Sequence, residues 1–359
     1  MRGSASALGL LVAAVVACGG KLAGDATPSG TGGVGSGDAD AGTSSGSPTT
    51  DGGPTVDAAA DCTTANRCLV TLASGRNTAM ALAVDATSVY WVEYGDLGQA
   101  NGAVMKAAVD GGTPVVLASD RPTPSSIAVD ATSVYWTDQA ANYGGGGKVE
   151  KVPLAGGTAV TLASGQANPG AISVYGTNVY WLEILGTIHS VPTGGGTPAT
   201  LASGGPGSNK LVVGATGVYW INEVGNNGSV MQTPLGGGTP TAIVSNISDL
   251  SGLALGSAGL YLTSAGDGTV TMLVPGAAAP KTLASALLPG GIVVDGDAAY
   301  WANQSQAGAD GSLWSLALAG GTPTELVSGQ NIPQSIAVDA TSVYWIDQGT
   351  GSIMKLTPK

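Results

Sequence analysis

Val84-Asp85-Ala86-Thr87-Ser88-Val89-Tyr90-Trp91 recurs unchanged at 129–136 and again at 338–345. Degenerate copies stand at 174–181, 213–220, 255–262 and 294–301, so the eighth position reads Trp91, Trp136, Trp181, Trp220, Leu262, Trp301 and Trp345. The steps between copies are 45, 45, 39, 42, 39 and 44 residues. Seven copies at that pitch suit a unit of four short strands, the blade of a β-propeller. In each unit, strand a is an apolar run such as Ser126-Ile127-Ala128-Val129, and Asp130 opens a turn, as Asp favours the first position of a type I turn. Strand b is Val134-Tyr135-Trp136-Thr137 and strand c is Lys148 to Val152; Gly156-Gly157 then lead into strand d, Val160-Thr161-Leu162-Ala163. Adjacent Tyr and Trp on strand b point to opposite sheet faces, so both belong to the core between blades.

The two ends of the chain predict how the ring closes. After Trp345 one strand c remains, Ser352 to Leu356, and the last unit lacks a strand d. Leu69-Val70-Thr71-Leu72-Ala73 reads as a strand d with no unit before it. Pairing the two completes seven four-stranded blades and leaves no open edge at the seam. The expected architecture is an all-β, seven-bladed propeller over 62–359, closed by strand 69–73.

Composition agrees. Of 359 residues, 59 are Gly and 19 Pro, Phe is absent, 43% are hydrophobic and 10% charged. That combination favours many short strands joined by tight turns around a packed core. Lys and Arg number 12 against 24 Asp and Glu, a net charge of −12, which argues against nucleic acid and anionic lipid head groups as partners.

The N-terminus has a different character. Arg2 precedes an apolar run, Leu8 to Ala17, too short to span a bilayer but of the length of a secretory signal core. Val15-Val16-Ala17-Cys18 resembles the lipobox of bacterial lipoprotein precursors, which implies cleavage after a 1–17 signal peptide and a lipid on Cys18. Gly19 after that cysteine resembles lipoproteins sorted to the outer membrane, so the expected location is the cell envelope, with the membrane reached by the lipid anchor alone. Residues 18–61 read as the lipidated Cys and a spacer: Gly19 to Asp61 holds 12 Gly in 43 residues and no aromatic, too little apolar surface to offset ordering entropy. With Cys18 lipidated, Cys62 and Cys68 remain as an expected pair in an oxidising compartment. Such a seven-residue loop contributes roughly 2 kcal/mol by loop entropy.

Tyr135-Trp136-Thr137-Asp138 carries the namesake motif of the YWTD propellers of lipoprotein receptors, and Tyr344-Trp345-Ile346-Asp347 keeps three of its four residues. The chain resembles that group over roughly 69–359. The resemblance implies a propeller and says little of function. Those receptor propellers have six blades, whereas seven units are counted here, and the receptors' cysteine-rich modules are missing. Calcium-dependent lactonases and related propeller hydrolases are a second group to compare, but none of their site motifs occurs.

Candidate functional residues are what remains once the repeat is subtracted. The a–b and c–d turns share one face and are nearly constant; the b–c and d–a loops share the other face and vary, and variable loops on a constant scaffold are where binding usually resides. Two residues after each Trp position stand Glu93, Asp138, Glu183, Asn222, Ser264, Asn303 and Asp347, a ring on the loop face. These residues either end strand b with local hydrogen bonds or form a rim in which Glu93, Asp138, Glu183 and Asp347 attract a divalent cation; no other cofactor is expected. Tyr94, Asp96 and Tyr143 lie in the long b–c loops and Arg76 and Arg121 in d–a loops. With Glu93 and Asp138, these seven residues suit a protein, peptide or glycan ligand. Catalysis is not expected. His189 is the only histidine and reads as a surface residue of strand c, and no G-x-S-x-G or H-E-x-x-H motif occurs. A binding or scaffold propeller is therefore the leading reading, with a lactonase-like metal-dependent hydrolase or lyase acting through the rim carboxylates and a purely structural surface-coat protein as the alternatives.

Overall fold

The computed structural model describes residues 60–64, 67–96, 99–139, 146–203, 207–304 and 310–359, with the backbone alone at 60–64 and 207–209. The signal-peptide, Cys18 and most of the spacer readings, and Tyr143, lie outside the described residues. Seven antiparallel sheets form a ring, and no helix occurs among the described residues. Blade 1 runs Ala79–Val84 (a), Ser88–Glu93 (b), Gly102–Ala108 (c) and Val115–Arg121 (d), and blades 2 to 6 repeat that order from Pro124, Pro169, Gly207, Leu250 and Pro289. Strand a of each blade packs on strand a of the next, and Pro333–Val338 of blade 7 packs on Ala79–Val84 of blade 1.

Blade 7 closes with the other end of the chain. Arg67–Ala73 pairs with Ser352–Thr357 in the register Leu69 with Leu356, Val70 with Lys355 and Thr71 with Met354. A fifth strand, Ala60–Thr64, pairs outside it and covers the seam. Pairing thus begins two residues before the expected domain start at 62, on a segment whose sequence carries no strand pattern.

The repeat earns its constancy at the blade boundaries. The tyrosine of one blade meets the tryptophan of the next: Tyr90 with Trp136, Tyr135 with Trp181, Tyr180 with Trp220, Tyr261 with Trp301, Tyr300 with Trp345 and Tyr344 with Trp91. At the boundary of blades 4 and 5, Tyr219 meets Leu262 instead. The repeat aspartates fold the a–b turns. Asp130 Oδ1 accepts the backbone N–H groups of Thr132 (2.7 Å) and Ser133 (2.8 Å), and Oδ2 accepts the Tyr135 hydroxyl (2.8 Å). Asp85 and Asp339 do the same for Tyr90 and Tyr344. Burial opposes ionisation of these carboxyls, yet the donors around Asp85, Asp130 and Asp339 hold all three below the usual carboxylate range. In the c–d turns, Gly156 (φ +84°) and Gly157 (φ +131°) adopt the left-handed backbone that only glycine enters without strain.

Candidate functional site

The loop face is built from strand b ends, b–c loops and d–a loops. Strand boundaries give long b–c connections in blade 1 (Glu93 to Gly102), blade 2 (Asp138 to Gly147) and blade 6 (Asn303 to Gly311), and short ones elsewhere. The ring residues at the ends of strand b turn toward their own blades. Glu93 Oε1 accepts Trp91 Nε1 at 2.8 Å and Arg76 Nη1 at 3.3 Å. Glu183 Oε1 accepts the Ala167 N–H at 2.7 Å, and Asp347 Oδ2 accepts the Asn331 N–H at 3.0 Å, so these two carboxylates cap d–a loops. Ser264 donates to the Ser248 carbonyl. Among the described residues, no three His, Cys, Asp or Glu side chains converge as a metal site. Glu93, Asp138, Glu183 and Asp347 are thus distributed around the rim on blades 1, 2, 3 and 7.

The remaining candidates divide in the same way. Asp96 accepts Asn101 Nδ2 at 2.8 Å and shapes its own loop. Tyr94 is half-buried, its N–H donating to the Thr78 carbonyl at 2.8 Å. Arg121 leaves strand d of blade 1 and donates from Nη1 to Glu150 Oε2 of blade 2 at 2.8 Å.

Glu150 is a partner the sequence did not single out. It sits on strand c directly across from Trp136, and its Oε1 accepts the Thr161 hydroxyl at 2.9 Å. Asp138, 1% exposed, accepts Trp136 Nε1 on Oδ2 at 3.0 Å, while no donor reaches its buried Oδ1. A proton on Asp138 shared with Glu150 satisfies that oxygen. Burial foremost, then the neighbouring Glu150, pushes the Asp138 carboxyl up to about 7. Burial also opposes charge on Glu150, but hydrogen bonds from Asp138 and Thr161 and the Arg121 guanidinium outweigh it and lower its value. Between the unfolded carboxylate value of 3.8 and about 7, the folded protein holds a proton that the unfolded chain has lost. Stability from this group therefore falls as pH rises through that window. Asp138→Asn keeps an acceptor for Trp136 and a donor toward Glu150 without the proton. It is expected to unfold at higher urea than wild type at pH 8, a gain on the order of 1 kcal/mol, and to match it near pH 4. Parallel pH profiles of the two proteins would remove the shared proton from the account.

In blade 3 the same strand-c position is His189. It is not a free surface residue: its ring stacks on Trp181 with centroids 5.3 Å apart, Nε2 lies 3.4 Å from Glu183 Oε2, and Nδ1 lies 3.2 Å from the Thr200 hydroxyl. In blades 1 to 3 and 7 these rim groups bond to one another or to nearby backbone, whereas at the matching positions of blades 4 and 6 the buried Asn222 and Asn303 Oδ1 atoms and the Trp220 and Trp301 Nε1 groups find no partner among the described residues.

Exposed apolar residues occur toward both faces: Val115, Val116 and Val160 begin strands d next to the c–d turns and Val274 lies in the c–d turn of blade 5, while the loop face carries a set of its own on its loops. Leu185 (70% exposed) with Ile184 lies in the b–c loop of blade 3, Val224 (63%) at the b–c hairpin of blade 4, and Leu287 (74%) in the loop between blades 5 and 6. The d–a loops also hold strain. Leu288 (φ +46°) and Ile332 (φ +56°) occupy left-handed backbone that a branched side chain enters at roughly 1–3 kcal/mol, a cost often kept where loops must present a fixed surface.

Comparison with solved structures shows a shared fold. The chain is similar to a chain of the nidogen/laminin complex (TM-score 0.50, 17% identity, 65% of this chain and 89% of that one). It is similar to the computationally designed protein Ika8 (TM-score 0.54, 17% identity, 79% and 87%) and to the WD40 β-propeller domain of Doa1 (TM-score 0.57, 14% identity, 77% and 91%). No family model matches the chain, and no curated protein does. The protein is a seven-bladed all-β propeller; sequence likeness to these neighbours is too low to carry more than the fold.

Proposed function

We propose that this protein is an envelope-anchored, non-catalytic binding propeller that holds a protein or peptide partner on its loop face. The observation that carries the reading is the contrast between the two classes of position. Repeat residues are absorbed by the blade boundaries and turns, whereas Leu185, Val224 and Leu287 expose apolar side chains on loops of differing length. Apolar side chains on a strained, preformed loop surface suit a peptide chain, with the net charge of −12 favouring a neutral or basic one. Anchoring rests on Arg2, the apolar run Leu8 to Ala17 and Cys18, which carries the lipid and places the protein at the outer membrane. Among the described residues, no helix is long and apolar enough to cross a membrane. We also propose a bridge between Cys62 and Cys68. They lie on neighbouring strands whose register pairs Ala60 with Val70 and Asp61 with Leu69.

Leu185→Arg with Val224→Arg tests the face. Both positions are exposed, so the double variant is expected to melt within about 2 °C of wild type while retaining at least tenfold less envelope protein on an affinity column. Equal retention by the two proteins contradicts the assignment.

A further inference from the structure

On the opposite face, at the boundary of blades 4 and 5, lies a cavity of about 500 Å³. Its origin is visible in the repeat. At three other boundaries a lysine on strand c, across from the tyrosine, reaches the next blade's c–d turn. Lys106 donates to the Leu154 carbonyl (2.9 Å), Lys151 to that of Thr193 (2.5 Å) and Lys355 to that of Val109 (2.8 Å). Register places Lys106 opposite Tyr90 and Lys151 opposite Tyr135; opposite Tyr219 stands Gln232. Gln232 does not reach across, and Pro275 occupies the turn position that Leu154 and Val109 hold elsewhere.

Two more departures meet at this boundary. Gly214 stands where Asp85, Asp130 and Asp339 bind their tyrosines, and Leu255 of blade 5 occupies the space a side chain there would fill. Leu262 replaces the tryptophan of the other boundaries. Lysine, aspartate and tryptophan are all missing from this seam, and the opening there has apolar walls and no charged residue in its lining.

We propose that this cavity binds a neutral, largely apolar small molecule carrying one hydrogen-bond-accepting oxygen, such as a ketone or an ester. Its volume lies within the ordinary range of ligand sites, which are mostly apolar with a few fixed polar groups. Those groups are Thr216, Tyr219 and Gln232. Gln232 Nε2 donates to the Tyr219 hydroxyl and to the Thr216 carbonyl, both at 3.2 Å. The Thr216 and Tyr219 hydroxyls bond each other at 2.7 Å. Their mutual bond uses one of the two hydroxyl protons. The second is free to be donated to a ligand oxygen, whichever way the pair is oriented. A charged ligand finds no counter-ion there and loses its hydration on entry.

The test uses the full chain and prodan, a neutral naphthalene ketone whose emission shifts with polarity and with hydrogen bonding to its carbonyl. Wild type is expected to bind it saturably. Gln232→Lys restores the missing strap, and Ala277→Trp fills the exposed mouth; each is expected to weaken prodan binding at least tenfold with no loss of melting temperature. Leu185→Arg, on the other face, is expected to change nothing. Absence of saturable binding overturns the proposal. So does binding that survives both Gln232→Lys and Ala277→Trp, or binding that Leu185→Arg removes.

Discussion

Deleting residues 67–73 from the full chain is expected to abolish cooperative unfolding and to cause aggregation. The segment is distant in sequence from the strand it completes, yet it supplies the fourth strand of blade 7. Its Leu72 is buried in the cluster joining blades 7 and 1, and Leu69 packs on the cluster joining blades 6 and 7. Losing one buried leucine alone costs about 2–5 kcal/mol, comparable with much of the stability of an ordinary domain. The deletion also strips the pairing along Ser352–Thr357 and exposes that edge to other chains. Removing 19–59 instead leaves every described strand in place and is expected to move the melting temperature by less than about 2 °C. Circular dichroism melts with light scattering read both results. Similar melting of the two deletions contradicts the closure.

Trp136→Ala is expected to destabilise the protein by roughly 3–5 kcal/mol. The side chain is fully buried between Tyr90 and Ile127, and its Nε1 donates to Asp138 Oδ2. Truncation leaves a cavity at the boundary of blades 1 and 2 and an acid that has lost its indole partner in the interior. Urea unfolding measures the change from the midpoint at constant slope. A loss below about 1 kcal/mol would mean that the Tyr-to-Trp contacts between blades do not hold the ring together.

The ring was legible because the repeat is literal. Three identical octapeptides set the period, and the unmatched strand at Leu69 to Ala73 had one partner left. Strand Ala60–Thr64 was not legible, as Asp61-Cys62-Thr63-Thr64 offers neither alternation nor an apolar run. The rim acids were visible as a ring, but the sequence does not say where their donors lie. Trp91 and Arg76 take Glu93, whereas backbone N–H groups take Glu183 and Asp347. Glu150 and His189 were hidden for a related reason: their position on strand c varies from Met to Glu to His, and only the register against the tryptophan reveals them as neighbours of the rim. The cavity is the clearest case. Gly214, Gln232 and Leu262 are each readable as departures from the repeat. Their convergence depends on the tyrosine of one unit packing on the next unit, and a period within one unit does not show that contact.

The most direct test of the functional account is site-specific photocrosslinking in the living cell. A benzophenone amino acid placed at Leu185 samples the loop face, and one at Thr158, in the exposed c–d turn of blade 2, samples the other. Discrete protein adducts from position 185, absent from position 158 and lost when Val224→Arg is added, are the predicted result. Adducts from position 158 alone, or the same adducts from both faces, would contradict a binding propeller that works through its loop face.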